Sequence, residues 1–195
     1  MLAPVALAQV EWTARAGTYA LHDQTHPSVA DPALDSIVTY TIIVWEDERN
    51  GDKDIYAQKI DNATGVALWA PDGVPVCTAA NDQRNPRAAC DSSGGVIITW
   101  EDCRNDAQNV DALIYATRLI RFTGEADQRW TANGNVVCAQ GAPCLRPRIV
   151  GTSDGAFIVW TDARRGQYYR NAFLQYLHCD GGIENNWPGD GAPVG

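Results

Sequence analysis

The stretch VWEDERNGDKDIYAQKID, Val44 to Asp61, decides the fold because the chain repeats it. It returns as TWEDCRNDAQNVDALIYATRLI from Thr99 and, degraded, as VWTDARRGQYYRNAFLQYLHC from Val159. Three anchors hold the alignment: Trp45, Trp100 and Trp160; Asp47, Asp102 and Asp162; Arg49, Arg104 and Arg164. A second set has Trp, three residues, then Gly, at Trp69, Trp130 and Trp187, with a looser fourth copy at Trp12. A third is a proline opening a strand, at Pro27, Pro86 and Pro147. Self-similarity at a fixed period of this length marks a repeat architecture.

Each unit holds four short strand-like runs. In the second copy they are NPRAACD, GVIITWED, ALIYATRLI and NVVCA. β-branched residues fill the runs and Gly, Asn and Asp cluster between them, with no helical period. Four antiparallel strands per repeat describe a β-propeller blade. The expected fold is therefore all-β and propeller-like, with about three four-stranded blades over residues 11–195 after a leader-like segment at 1–10. Three blades fall short of the four or more of an ordinary ring. Hence the expectation of a partial propeller, or one completed by association, with open sheet edges available for self-association or a protein partner.

Bulk properties narrow the function. The 195 residues carry a net charge of −9 and a pI near 4.6, which speaks against a nucleic-acid partner. No apolar run is long enough for a membrane helix, so membrane insertion is not expected. Six cysteines without CxxC spacing point to disulfides and an oxidising, secreted or cell-surface setting. Cys138 and Cys144 flank one tight loop and form the first expected pair; Cys77 with Cys103 is the second.

The pattern W-x-D-x-R-x-G-x-x-D-I-Y-A-Q, best kept at Trp45, Asp47, Arg49, Gly51, Asp54, Tyr56 and Gln58, resembles repeats of secreted and surface-attached bacterial β-propeller proteins. That resemblance implies an extracellular binding, adhesion or assembly module with no defined catalytic residue. IDNATGVALW, Ile60 to Trp69, is similar to the tryptophan-docking turn of quinoprotein dehydrogenase blades, and DSSGGVIITW only loosely to the Asp-box of sialidases. The rival readings are a fragment of a larger propeller enzyme, of the glycoside hydrolase, sialidase or quinoprotein kind, or a carbohydrate-binding lectin.

In an antiparallel blade the loops after the second and fourth strands share one face. That face collects Glu48, Asp52, Asp54 and Asp82, the candidate binding residues. Calcium is the metal weighed there, since hard cations want several oxygens. The recurring Arg49 opposes it, so the reading is no cofactor and no metal, with Asp47 and Arg49 and their repeats as a structural ion pair. Trp45, Trp100 and Trp160 are read as packing between blades, and Trp69, Trp130 and Trp187 as docking residues. His22 and His26 around Asp23 form a weak metal candidate, and Asn62 opens a glycosylation sequon.

Overall fold

The computed structural model describes residues 23–30, 39–140, 143–164 and 170–195. The leader-like segment, Trp12 and His22 lie outside the described residues. Among the described residues, twelve strands form three antiparallel sheets. The first sheet orders β1 (Gln24–Ala30), β2 (Tyr40–Asp47), β3 (Asp54–Asp61) and β4 (Val74–Cys77). The second orders β5 (Gln83–Cys90), β6 (Gly95–Asp102), β7 (Leu113–Ile120) and β8 (Asn135–Cys138). The third holds β9 (Cys144–Gly151), β10 (Gly155–Asp162), β11 (Asn171–His178) and β12 (Ala192–Pro193). The first strands of neighbouring sheets lie against each other, β1 on β5 and β5 on β9, and so form the inner edge of an arc.

The cores lie between blades. Ile42, Val44, Ile55 and Ala57 of the first blade meet Ile98, Trp100 and Leu119 of the second. Ile97, Ile114 and Ala116 of the second meet Ile158, Trp160 and Leu177 of the third. Each Val, Leu or Ile among them contributes roughly 1.5–3 kcal/mol on burial. Alternation records the position of each blade in the stack. In β2 buried and half-buried residues alternate over most of its length, whereas β6, covered on both faces, is buried at every position. Trp100 and Trp160 thus pack between blades, while Trp45 on the outer face of the first blade is half-buried.

Each innermost strand breaks register once, between Thr25 and Ser28, between Arg84 and Arg87, and opposite Val159 to Thr161. The residue before the proline takes a positive φ at every break: His26 at 50°, Asn85 at 53° and Arg146 at 58°. Proline has no N–H for the ladder, which confines it to edges and bulges. An extra residue in the left-handed region forms such a bulge and re-aims the side chains around it.

Candidate binding face on the inner strands

The repeated Trp, Asp and Arg form one clasp per blade. Asp102, fully buried, accepts Trp100 Nε1 at 2.7 Å, Arg104 N at 2.9 Å, Arg104 Nε at 2.8 Å and Arg104 Nη2 at 2.6 Å. Asp47 and Asp162 receive the same donors from Trp45 and Arg49 and from Trp160 and Arg164. Burial acts to raise the Asp47 carboxyl, but the Arg49 and Trp45 hydrogen bonds outweigh it and hold the group at about 2. The guanidinium then stacks 3.9 Å over Tyr56, 3.9 Å over Tyr115 or 3.7 Å over Phe173. Its Nη2 donates onward to the turn carbonyl of Asp72, Asn133 or Asp190.

The glycine after each of those carbonyls completes the clasp. Gly73, Gly134 and Gly191 have φ of 85°, 93° and 87°. A Cβ there would lie 2.5, 2.6 and 2.4 Å from the Cη2 of Trp45, Trp100 and Trp160. The Trp-x-Asp-x-Arg motif and the Asp-Gly or Asn-Gly turn are therefore one device, read as separate anchors in the sequence. The docking tryptophans have a different target. Trp69 lies against Gly124 and Trp130 against Gly181, each in the next blade, with Trp130 Nε1 donating to Cys179 O at 3.0 Å.

Glu48, Asp52, Asp54 and Asp82 are held apart. Asp54 is buried and accepts Asn50 Nδ2 at 2.5 Å; burial pushes its carboxyl up. Asp82 Oδ1 accepts the Lys53 amide at 3.2 Å, and Glu48 lies 3.8 Å from Lys53 Nζ. No three of these acids bring ligand atoms within 4.8 Å of one another. Among the described residues, the one group that does is Cys138, Cys144 and Asp162, and its two sulfurs are bonded to each other.

The disulfide joins Cys138 to Cys144 with Cα atoms 6.5 Å apart. The expected second pair does not form: Cys77 and Cys103 are both free, buried thiols. Successive residues of an extended chain point to opposite faces. Asp102 accordingly meets Cys77, whose Sγ lies 3.9 Å from its Oδ2, while Cys103 turns to Arg84 Nη2 at 3.1 Å. The partner position of Cys77 is Gln83, the register equivalent of Cys144. Gln83 is fully buried and donates its amide to the carbonyls of Ala79, Ala80 and Asn81. Amide hydrogen bonds thus close in one junction the loop that a covalent bond closes in the next.

A second arrangement runs along the inner edge. Glu46, buried, accepts the Asn85 amide of the next blade at 2.8 Å, with His26 Nδ1 at 3.1 Å and Lys53 Nζ at 3.0 Å. Burial opposes ionisation, yet Asn85 and Lys53 prevail and lower its pKa. Glu101 repeats the reach one blade on, accepting the Arg146 amide at 2.8 Å. Both carboxylates therefore satisfy the amide that the bulge exposes. The three inner strands, QTHPSVA, QRNPRAAC and CLRPRIVG, carry four arginines and a histidine and no acid. Glu46, Glu101, Arg87, Arg146 and Arg148 were not among the candidate residues from sequence. The signal available was the basic residue flanking each proline in RNPR and LRPR.

No protein-family model and no curated protein sequence matches the chain. Solved structures do resemble it. One belongs to a study of the GH130 family of mannoside phosphorylases containing glycoside hydrolases that target β-1,2 mannosidic linkages in Candida mannan; it has a TM-score of 0.52 at 10% identity, over 89% of this chain and 51% of that one. The chain is a partial β-propeller. A glycosyl hydrolase from Bacteroides ovatus (TM-score 0.49, 10% identity, 84% of this chain and 51% of that one) and an endo-arabinase from Bacteroides thetaiotaomicron (0.48, 13%, 88% and 66%) are also similar. This arc spans about half the length of the first two of these propellers. The disulfide is compatible with an extracellular location.

Proposed function

We propose that this arc is part of a carbohydrate-handling propeller outside the cytoplasm and supplies binding wall to it. The observation that carries the reading is the acid-free inner edge, where Arg87, Arg146, Arg148 and His26 flank bulges held from behind by Glu46 and Glu101. Glycoside hydrolysis uses a pair of carboxyl groups, one kept protonated to serve as the acid. Glu46 is the opposite case, an ionised carboxylate surrounded by donors. The likeness to glycoside hydrolase propellers supports the carbohydrate class, and the donors and ionised Glu46 of the inner edge suit recognition there. Titration calorimetry of the full chain with neutral and acidic oligosaccharides tests it. Micromolar to millimolar binding to at least one oligosaccharide is expected, and silence across the panel refutes the reading.

A second reading concerns the ends of the arc. Phe157 is 37% exposed on the third blade, in the register position of Ile42 and Ile97, which are fully buried against a neighbour. We propose that this face, with Tyr176 and Trp187 beside it, packs on a further blade, supplied by a longer chain or by a second copy. Light scattering of the chain alone, with and without Phe157→Asp, separates a monomer from a closed assembly.

A further inference from the structure

We infer that Arg87 and Arg148 form a binding site for the carboxylates of acidic, uronate-type glycans. This rests on the glycan-binding reading above and names its charge class. The two arginines occupy the same position in adjacent inner strands, each directly after the bulge proline. Each folds the same way, donating Nη1 to that proline's carbonyl, Arg87 to Pro86 O at 2.7 Å and Arg148 to Pro147 O at 2.9 Å. One nitrogen of each guanidinium is thus fixed to the backbone, which sets the plane of the group.

The remaining donors have no acidic partner. Among the described residues, neither Arg87 nor Arg148 has a carboxylate within 4 Å, in contrast to the arginines of the clasps. Arg148 is exposed and Arg87 half-buried, with the exposed Arg146 two residues before Arg148. The pair carries an unfavourable interaction with itself. Burial, and then the charge of Arg148, lower the pKa of Arg87, and Glu101 and Glu46 only partly offset them. An anion lying between the two guanidiniums relieves that repulsion. Glu101 accepts the Arg146 amide and makes no ion pair with either guanidinium, so their outward donors remain open to a ligand anion.

The class of anion follows from shape. A guanidinium presents its donors in a planar fork that matches a carboxylate with two parallel hydrogen bonds. The site sits at the inner edge of an arc and extends from one blade to the next, which suits an extended chain with acidic groups at intervals. With a net charge of −9, the protein as a whole repels polyanions. Binding therefore depends on this local pair.

The test uses the full chain and defined oligosaccharides: tetragalacturonate, mannotetraose and xylotetraose, with dextran sulfate as a non-carboxylate polyanion. Tetragalacturonate is expected to bind more tightly than either neutral sugar and to weaken as salt rises. Arg148→Gln and Arg87→Gln should each weaken it about tenfold or more, since hydrogen bonds to charged groups are the strong ones. Arg129→Gln, which removes the same charge at another exposed position, should leave it unchanged. Circular dichroism melting of all three variants checks that they fold. Neutral sugars binding as tightly as the acidic one overturns the carboxylate assignment and leaves the glycan reading standing. Equal binding of dextran sulfate, or loss of affinity in Arg129→Gln, also overturns it by reducing the effect to bulk charge. No binding to any oligosaccharide removes both.

Discussion

Gln83→Cys should build a second disulfide with Cys77. The register places Gln83 where Cys144 stands, opposite the clasp aspartate, and Cys77 where Cys138 stands. Both sulfurs of the repeat also rest on the same groups. Cys77 Sγ is 3.4 Å from Arg104 Nη2 and Cys138 Sγ is 3.5 Å from Arg164 Nη2. A cross-link closing a loop of about seven residues stabilises by about 2.3 kcal/mol through the entropy of the unfolded chain. Against it stands the loss of the Gln83 amide bonds to Ala79, Ala80 and Asn81, about 1–2 kcal/mol in sum. The oxidised variant should therefore sit within about 1 kcal/mol of the parent, and the reduced variant about 2 kcal/mol below the oxidised one.

The assay is a double difference. Both proteins are melted with and without reductant, because the existing Cys138–Cys144 bond also responds. The reductant should lower the variant's melting temperature by about 5–10 °C more than the parent's. Burial pushes the Cys77 thiol up to about 12, so thiolate is scarce in the folded protein and oxidation belongs in the refolding step. A thiol count in denaturant then decides the chemistry. The variant should lose the Cys77 thiol from the count, while Cys103 and Cys179 still titrate. A free Cys77 after oxidative refolding, or equal melting shifts in both proteins, would refute the equivalence of the two junctions.

Asp102→Ala removes the acceptor of the second blade's clasp, leaves Trp100 Nε1 without its partner and Arg104 without its counter-charge, and should cost about 3–5 kcal/mol in urea unfolding. Gly134→Ala adds a methyl 2.6 Å from Trp100 Cη2 at a φ of 93°, and strain plus overpacking should cost about 2–5 kcal/mol, whereas Gly51→Ala, with nothing within 4 Å, should pay for the backbone alone. Acid should destabilise through Asp47. Its folded pKa is depressed from 3.8 to about 2, so its contribution of about 2 kcal/mol is present above pH 4 and lost as pH falls through 2. Asp54, raised by burial, acts in the opposite sense and loses its contribution as pH rises past the unfolded value. Urea midpoints at pH 7, 4 and 2.5 should fall less steeply for Asp47→Asn than for the parent, and parallel curves would contradict the assignment.

The blades were legible because the anchors are local. Trp45, Asp47 and Arg49 lie within five residues, and their spacing survives from blade to blade even where Tyr56 and Tyr115 become Phe173. What stayed hidden depends on which side of a strand a residue faces. Cys77 ends β4 and Cys103 directly follows β6, towards one face, which made them look like partners. The parity that turns Asp102 towards Cys77 necessarily turns Cys103 away. The reach of Glu46 to Asn85 crosses 39 residues and ends on a backbone amide, which no side-chain pattern records. The acids Glu48, Asp52, Asp54 and Asp82 drew attention by density, yet Asp54 is buried against Asn50 and Asp82 accepts the Lys53 amide of the loop between β2 and β3.

The buried glutamates explain how an acidic protein keeps a basic inner edge. A residue before proline avoids helical conformations, and a non-glycine residue at positive φ is uncommon. His26, Asn85 and Arg146 satisfy neither preference. The conformation persists where something holds it, and for Asn85 and Arg146 that is a carboxylate of the preceding blade on the exposed amide. The price is a buried negative charge at each junction, which strand-borne arginines on the open side partly balance. Thr161 stands in the third blade where Glu46 and Glu101 stand in the others, and its hydroxyl turns back to Leu145 O at 3.3 Å within its own sheet. The carboxylate is therefore spent at the two junctions whose following strands carry Arg87 and Arg148. At both junctions the carboxylate that holds the bulge stands behind a strand with an arginine directly after the proline.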